Sequence, residues 1–138
     1  MTFTRMQRIS LSVSGLTSLG IGATILALPH AFYASYGITL GTDPSLLTEL
    51  RAPGAGLAAL GGIMLLGIFR EALSEAAVVA ALAVFLAFPA GRIVSLALDG
   101  MPSKAIVGAL LLELAIGALC IIAFRTKANA PREGLGAH

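Results

Sequence analysis

Two residues of opposite charge sit where charge is hardest to keep. Arg92 is the one charged residue of an apolar stretch at 76–98, and Glu113 is the one charged residue of another at 105–124. At the centre of a membrane helix such a group costs about 2.5–3.5 kcal/mol on insertion scales. It is therefore expected to have a partner or a task. A guanidinium offers a planar fork of N–H donors that a carboxylate can meet with both oxygens. Arg92 lies seven residues before Asp99, and Glu113 nine residues after Lys104. At 1.5 Å per residue they stand ~10 Å and ~13 Å from the same ends of their helices. Opposite charges at one depth on consecutive antiparallel helices should pair.

Four further polar residues fall near them. Ser95 and Asp99 follow Arg92 at i+3 and i+7, one strip of the same helix. Glu49 and Arg51 lie one to two turns into a preceding helix, and Arg51 shares a face with Gly54, Ala55, Ala58 and Gly62. Around Glu113 the neighbours Ala109, Gly117 and Cys120 form a strip of small residues, the kind of surface on which membrane helices meet. Pro53 and Pro89 can each bend a helix and free a carbonyl nearby. The expectation is a polar site of Glu49, Arg51, Arg92 and Glu113, formally neutral, with Ser95 and Asp99 at its edge. The competing reading is a salt bridge that only fixes the register of two helices.

Other chemistries lack their residues. His30 and His138 both lie outside the apolar stretches, so a haem held by two membrane histidines is excluded. The single cysteine, Cys120, has no partner for a disulfide or a metal motif. Neither HExxH, GxSxG nor a phosphate-binding loop occurs. No cofactor and no metal are expected, and catalysis would fall to Glu113 as a general acid or base.

The elements that must position these residues are apolar helices. In 138 residues, 57% are hydrophobic and 12% charged, with a net charge of +2. Soluble domains carry about 45–50% and 25% respectively. So much apolar surface needs lipid to cover it, and so little positive charge gives nucleic acid no footing. Spans are expected at about 9–28, 44–69, 76–98 and 104–124, each near the ~20 residues that cross a bilayer. The first, behind Arg5 and Arg8, is read as a retained helix, since its apolar core is too long for a signal peptide and no small-x-small site follows it. Its hydroxyls at Ser10, Ser12, Ser14, Thr17 and Ser18 can bond their own backbone. Asp43-Pro44-Ser45 reads as an N-cap with proline at the first helical position, and Asp99-Gly100-Met101-Pro102 as a tight turn.

Arg5, Arg8, Arg70, Arg125, Lys127 and Arg132 fall on one side of the spans, Arg51 and Lys104 on the other. The positive-inside rule then sets both ends in the cytoplasm and the 29–43 connection outside. The aromatics of that connection, Phe32, Tyr33 and Tyr36, fit an interfacial belt better than a ligand clamp. The fold class is all-α: an integral membrane four-helix bundle, N-in/C-in, one domain over 1–125 with a flexible cytoplasmic tail at 126–138.

Three segments carry a resemblance to a known family. They are Glu49-Leu50-Arg51-Ala52-Pro53-Gly54-Ala55-Gly56, Gly91-Arg92-x-x-Ser95-x-x-x-Asp99-Gly100-x-Pro102, and Glu113 within the last span. Over about 9–125 the chain resembles the four-helix membrane family called domain of unknown function 4345, and more loosely the DoxX-type proteins. The resemblance implies a bacterial inner-membrane bundle and brings no reaction. The function expected is binding of a small polar or amphiphilic ligand, or of lipid, in the outer half, or service as an accessory subunit in a homo-oligomer or larger complex. The alternatives are a small proton-coupled transporter and a membrane enzyme built on Glu113.

Overall fold

Thr4 opens the first helix with a reciprocal cap: its hydroxyl accepts the Gln7 N–H at 3.2 Å, and the Gln7 side chain accepts the Thr4 N–H at 3.0 Å. That cap explains why α1 spans Arg5–Ala27, starting a turn before the uncharged stretch. The computed structural model describes residues 2–128, with side chains as far as Arg125. After α1 come the short α2 (Pro29–Ala34), α3 (Pro44–Phe69), a single 3-10 turn (Glu71–Leu73), α4 (Ser74–Asp99) and α5 (Lys104–Ala128). Residues 126–128 of the expected tail continue α5, and 129–138 lie outside the described residues.

The fold is all-helical, and α1, α3, α4 and α5 are each long and apolar enough to cross a membrane. This is the length and composition of a multi-pass membrane protein. Proline and aspartate place the boundaries as the sequence predicts. Pro29 follows the C-cap of α1 and starts α2, and the Asp43 side chain accepts the Ser45 N–H at 3.2 Å ahead of Pro44.

The most extensive contact is between α1 and α3. Glycines seven residues apart make it: Gly15 and Gly22 on α1 face Gly61 and Gly54 on α3. A Cβ on Gly22 would collide with the Ala58 amide and the Gly54 carbonyl, and one on Gly61 with the Leu19 amide. Backbone packing this close wins dispersion contact that larger residues would forbid. The sequence pattern pointed to Gly62 as a contact residue, but its Cβ position meets nothing, and Gly61 takes the contact. A seven-residue repeat, not a four-residue one, tracks the seam between two long helices.

The bundle has two unlike halves. At the end where α1 starts, Leu11, Met64, Ala77, Ala81, Cys120 and Phe124 pack into a buried apolar core. Phe3 meets Phe124 edge-to-face with centroids 6.1 Å apart, and the Gln7 amide donates to the Ala123 carbonyl at 3.1 Å. Those contacts bring the start of α1 beside the end of α5. The first-helix hydroxyls divide. Ser10 and Ser12 donate to their own helix, at Met6 and Arg8. Ser14 shares a hydrogen bond with the Cys120 sulfur at 3.1 Å, and Ser18 donates to the Leu57 carbonyl at 2.8 Å, both reaching across helices. The opposite half, toward the 29–43 connection, holds the polar residues and a cavity.

Candidate functional site

The pair expected from depth is formed. Arg92 Nε donates to Glu113 Oε2 at 2.9 Å, and Arg92 Nη2 to Oε1 at 3.0 Å. Glu113 is the one charged side chain among the described residues that is fully buried, at 7% exposure. Arg92 is less covered, its side chain 27% accessible, and its open flank faces a cavity. Two parallel N–H···O⁻ bonds fix the guanidinium plane as well as the charge separation.

The backbone beside the pair is set by Pro89 and Gly117. Pro89, buried in α4, has no N–H to give the Phe85 carbonyl one turn earlier. A Cβ on Gly117 of α5 would lie 2.6 Å from that carbonyl oxygen, so only glycine lets α5 seat against it. The proline thus leaves an acceptor, and the missing side chain lets the neighbouring helix close over it. Both residues lie one turn from the ion pair, Pro89 before Arg92 and Gly117 after Glu113.

The cavity measures about 570 Å³ and is walled by all five helices. Helix α1 supplies Ser18, Ile21 and Ile25, and α3 supplies Leu57. Val84, Phe85, Phe88 and Gly91 come from α4, and Ile106 from α5. Phe32, Tyr33 and Tyr36 also line it. The sequence reading placed these three aromatics at an interface; they also line the cavity. The signal available was the number of aromatics in the longest connection, but nothing in the sequence folds that connection back over the bundle.

That fold-back has identifiable causes. Gly37, at φ 77°, ends the α2 turns: the Ile38 N–H donates to the Tyr33 carbonyl and the Gly37 N–H to the Ala34 carbonyl, both at 3.0 Å. The Ser103 hydroxyl, in the turn between α4 and α5, donates to the Tyr36 carbonyl at 2.8 Å. The His30 Nε2–H donates to the Gly41 carbonyl at 3.0 Å. Phe32 packs edge-on against both tyrosines, with centroids at 5.1 and 4.9 Å. Partial burial pushes the Tyr33 phenol above its ordinary pKa, Tyr36 adds to the rise, and the positive charge of Arg92 opposes it.

The six expected site residues are not one constellation. Arg92, Glu113 and Ser95 line the cavity, and Ser95 donates to Asp99 Oδ2 at 2.9 Å, which places Asp99 at the rim. Glu49 and Arg51 stand apart. Arg51 is exposed and its guanidinium donates to the Leu26 carbonyl at the end of α1. Glu49 is exposed beside a shallow depression with Pro44, Ser45 and Thr48. The convergence of four charges is corrected to a convergence of two. Gly54 and Leu57 are buried, whereas Glu49 is exposed and the Arg51 guanidinium is engaged by the end of α1.

Among the described residues no group of three His, Cys, Asp or Glu side chains is placed to hold a metal. The family model described as domain of unknown function (DUF4345) matches residues 6–124, and the chain belongs to that family. No curated protein and no solved structure matches the chain.

Proposed function

We propose that this DUF4345 member is a multi-pass membrane protein that binds one small amphiphilic molecule in the cavity beside the Arg92–Glu113 pair. The observation that carries the reading is the asymmetry of the pair: Glu113 is covered, while Arg92 is open toward a chamber of about 570 Å³. Volumes of roughly 300–1,000 Å³ with apolar walls and a few convergent polar groups are typical of small-molecule sites. A salt bridge serving register alone gains nothing from an adjoining chamber, because a packed wall would pair the charges better and expose no apolar lining to water.

A proton-coupled carrier needs a polar route through the other half as well. There Leu11, Met64, Ala77, Ala81 and Phe124 are buried, and the Ser10 and Ser14 hydroxyls are engaged by the Met6 carbonyl and the Cys120 sulfur. A general acid or base at Glu113 would have to release two hydrogen bonds from Arg92 first. Binding asks for neither. The proposed setting is the bacterial inner membrane with both ends inside. Arg5, Arg8, Arg70 and Arg125, all at one end of the helices, support that orientation.

The test is occupancy. Protein purified in lipid nanodiscs is expected to retain a bound small molecule, seen by native mass spectrometry. Gly91→Phe, which introduces bulk at a cavity-lining position with free space around it, should displace it without loss of thermal stability. Equal occupancy in the wild type, Gly91→Phe and Arg92→Gln would rule the cavity out as the binding site.

A further inference from the structure

We infer that the ligand of this site carries an uncharged head group rich in hydrogen-bond acceptors, such as ester, carbonyl or ether oxygens. The inference rests on the binding function proposed above and names its chemistry. Three observations lead to it.

The first is charge. Of the described side chains that line the cavity, only Arg92 and Glu113 are formally charged, and they are joined through both carboxylate oxygens. An anionic head would have to share Arg92 with Glu113 and leave one negative charge uncompensated in an apolar chamber. A cationic head would stand beside Arg92, with each Glu113 oxygen already accepting an N–H. An uncharged head disturbs neither partner.

The second is the kind of polar capacity left over. A guanidinium has five N–H groups and Glu113 takes two of them, so three remain on the Arg92 flank. Among the described residues neither the Tyr33 nor the Tyr36 phenol makes a protein hydrogen bond. Both tyrosines line the same cavity as Arg92. The lining serines are committed, Ser18 to the Leu57 carbonyl and Ser95 to Asp99. The site thus offers mostly donors, and a ligand that satisfies them must accept.

The third is the wall. Beyond the polar flank the lining is apolar, with Ile21 and Ile25 from α1 and Val84 and Phe85 from α4. A head at Arg92 with an apolar tail along α1 and α4 would fill the chamber. An ester-headed bilayer lipid and a water-soluble ester share this chemistry.

The experiment uses the full chain in phosphatidylcholine nanodiscs, with three photoreactive probes that share one twelve-carbon diazirine tail. Their heads are a methyl ester, a carboxylate and a trimethylammonium. Labelling of peptides containing Ile21, Ile25, Val84 and Phe85 reports the cavity. Labelling at Leu111 and Leu114, exposed on α5, reports ordinary lipid contact and serves as the reference. The ester is expected to label the cavity about tenfold or more above either charged probe, after normalisation to α5. Glu113→Gln leaves Arg92 as the only charge and should turn the preference toward the carboxylate. Equal cavity labelling by all three heads, or a carboxylate preference in the wild type, would overturn the inference while leaving a binding cavity in place. No cavity labelling above the α5 reference by any probe would instead sink the binding function itself. A diacylglycerol competitor incorporated in the bilayer, set against a short-chain ester added in water, separates the two sources.

Discussion

Removing both members of the Arg92–Glu113 pair should cost little more than removing either one alone. Glu113→Ala leaves a guanidinium whose side chain is 27% accessible, and Arg92→Ala leaves a carboxylate only 9% accessible. Stranding one member of a fully buried pair costs about 3–5 kcal/mol. Arg92 keeps some contact with the cavity, so Glu113→Ala is expected to cost about 2–3 kcal/mol, below that range. Arg92→Ala strands the better-covered group, and about 3–4 kcal/mol is expected. The double variant strands no charge. It loses the two charge-assisted hydrogen bonds and side-chain packing, together about 3 kcal/mol, well short of the sum of the singles. The coupling energy should then be about 2–4 kcal/mol, far above the ~0.5 kcal/mol scatter of independent sites. The assay is unfolding of all four forms in mixed micelles, followed by far-ultraviolet circular dichroism. Raising the salt concentration should change the coupling little, because a covered pair is poorly screened. Additive single effects, or a coupling that vanishes at high salt, would refute the claim that this pair is desolvated.

Other expectations follow from the same geometry. Gly61→Ala should destabilise by about 1–3 kcal/mol because its Cβ meets the Leu19 backbone, whereas Gly56→Ala, with nothing near its Cβ, should stabilise by about 0.5–1 kcal/mol. Opposite signs on one helix, read from unfolding midpoints, would locate the seam, and equal signs would contradict it. Gln7→Ala removes both a cap acceptor and the donor to Ala123, and should cost about 1–3 kcal/mol. Amide exchange would show faster opening at the start of α1, and unchanged exchange there would argue against the tie. Tyr33 has a raised pKa, so the folded protein holds its phenol proton where the unfolded chain releases it. Its stabilising contribution is full below the unfolded value near 10 and fades as pH rises through the folded value. Tyr33→Phe should therefore lose less stability on going to alkaline pH than the wild type, and ultraviolet titration should show one phenol ionising late.

Much of this was legible one helix at a time. The four spans, the caps at Asp43 and Pro44, and the shared depth of Arg92 and Glu113 depend on hydropathy, local backbone preference and a fixed rise per residue. Those quantities need no neighbouring helix. The position of Ser95 beside Asp99 followed from helical spacing for the same reason. Rotation of one helix about its axis was harder to read. Gly61 and Gly62 differ by one position and are equally small, and only the partner backbone of α1 selects Gly61. Likewise, only the end of α1 could show that Arg51 is engaged by the Leu26 carbonyl and not by the pair.

The sequence by itself determined that four apolar helices form and that two of them carry opposite charges at one depth. Hydrophobicity and charge burial act on each residue wherever its neighbours are, so composition and spacing suffice. Tertiary structure alone decided that Phe32, Tyr33 and Tyr36 fold over the bundle, that Glu49 and Arg51 stay outside, and that a chamber opens on the Arg92 side. Those outcomes depend on contacts between distant segments, such as Ser103 with Tyr36 and Gly117 against the Phe85 carbonyl. A cavity is a property of how surfaces fail to meet, and no single segment of the chain encodes it.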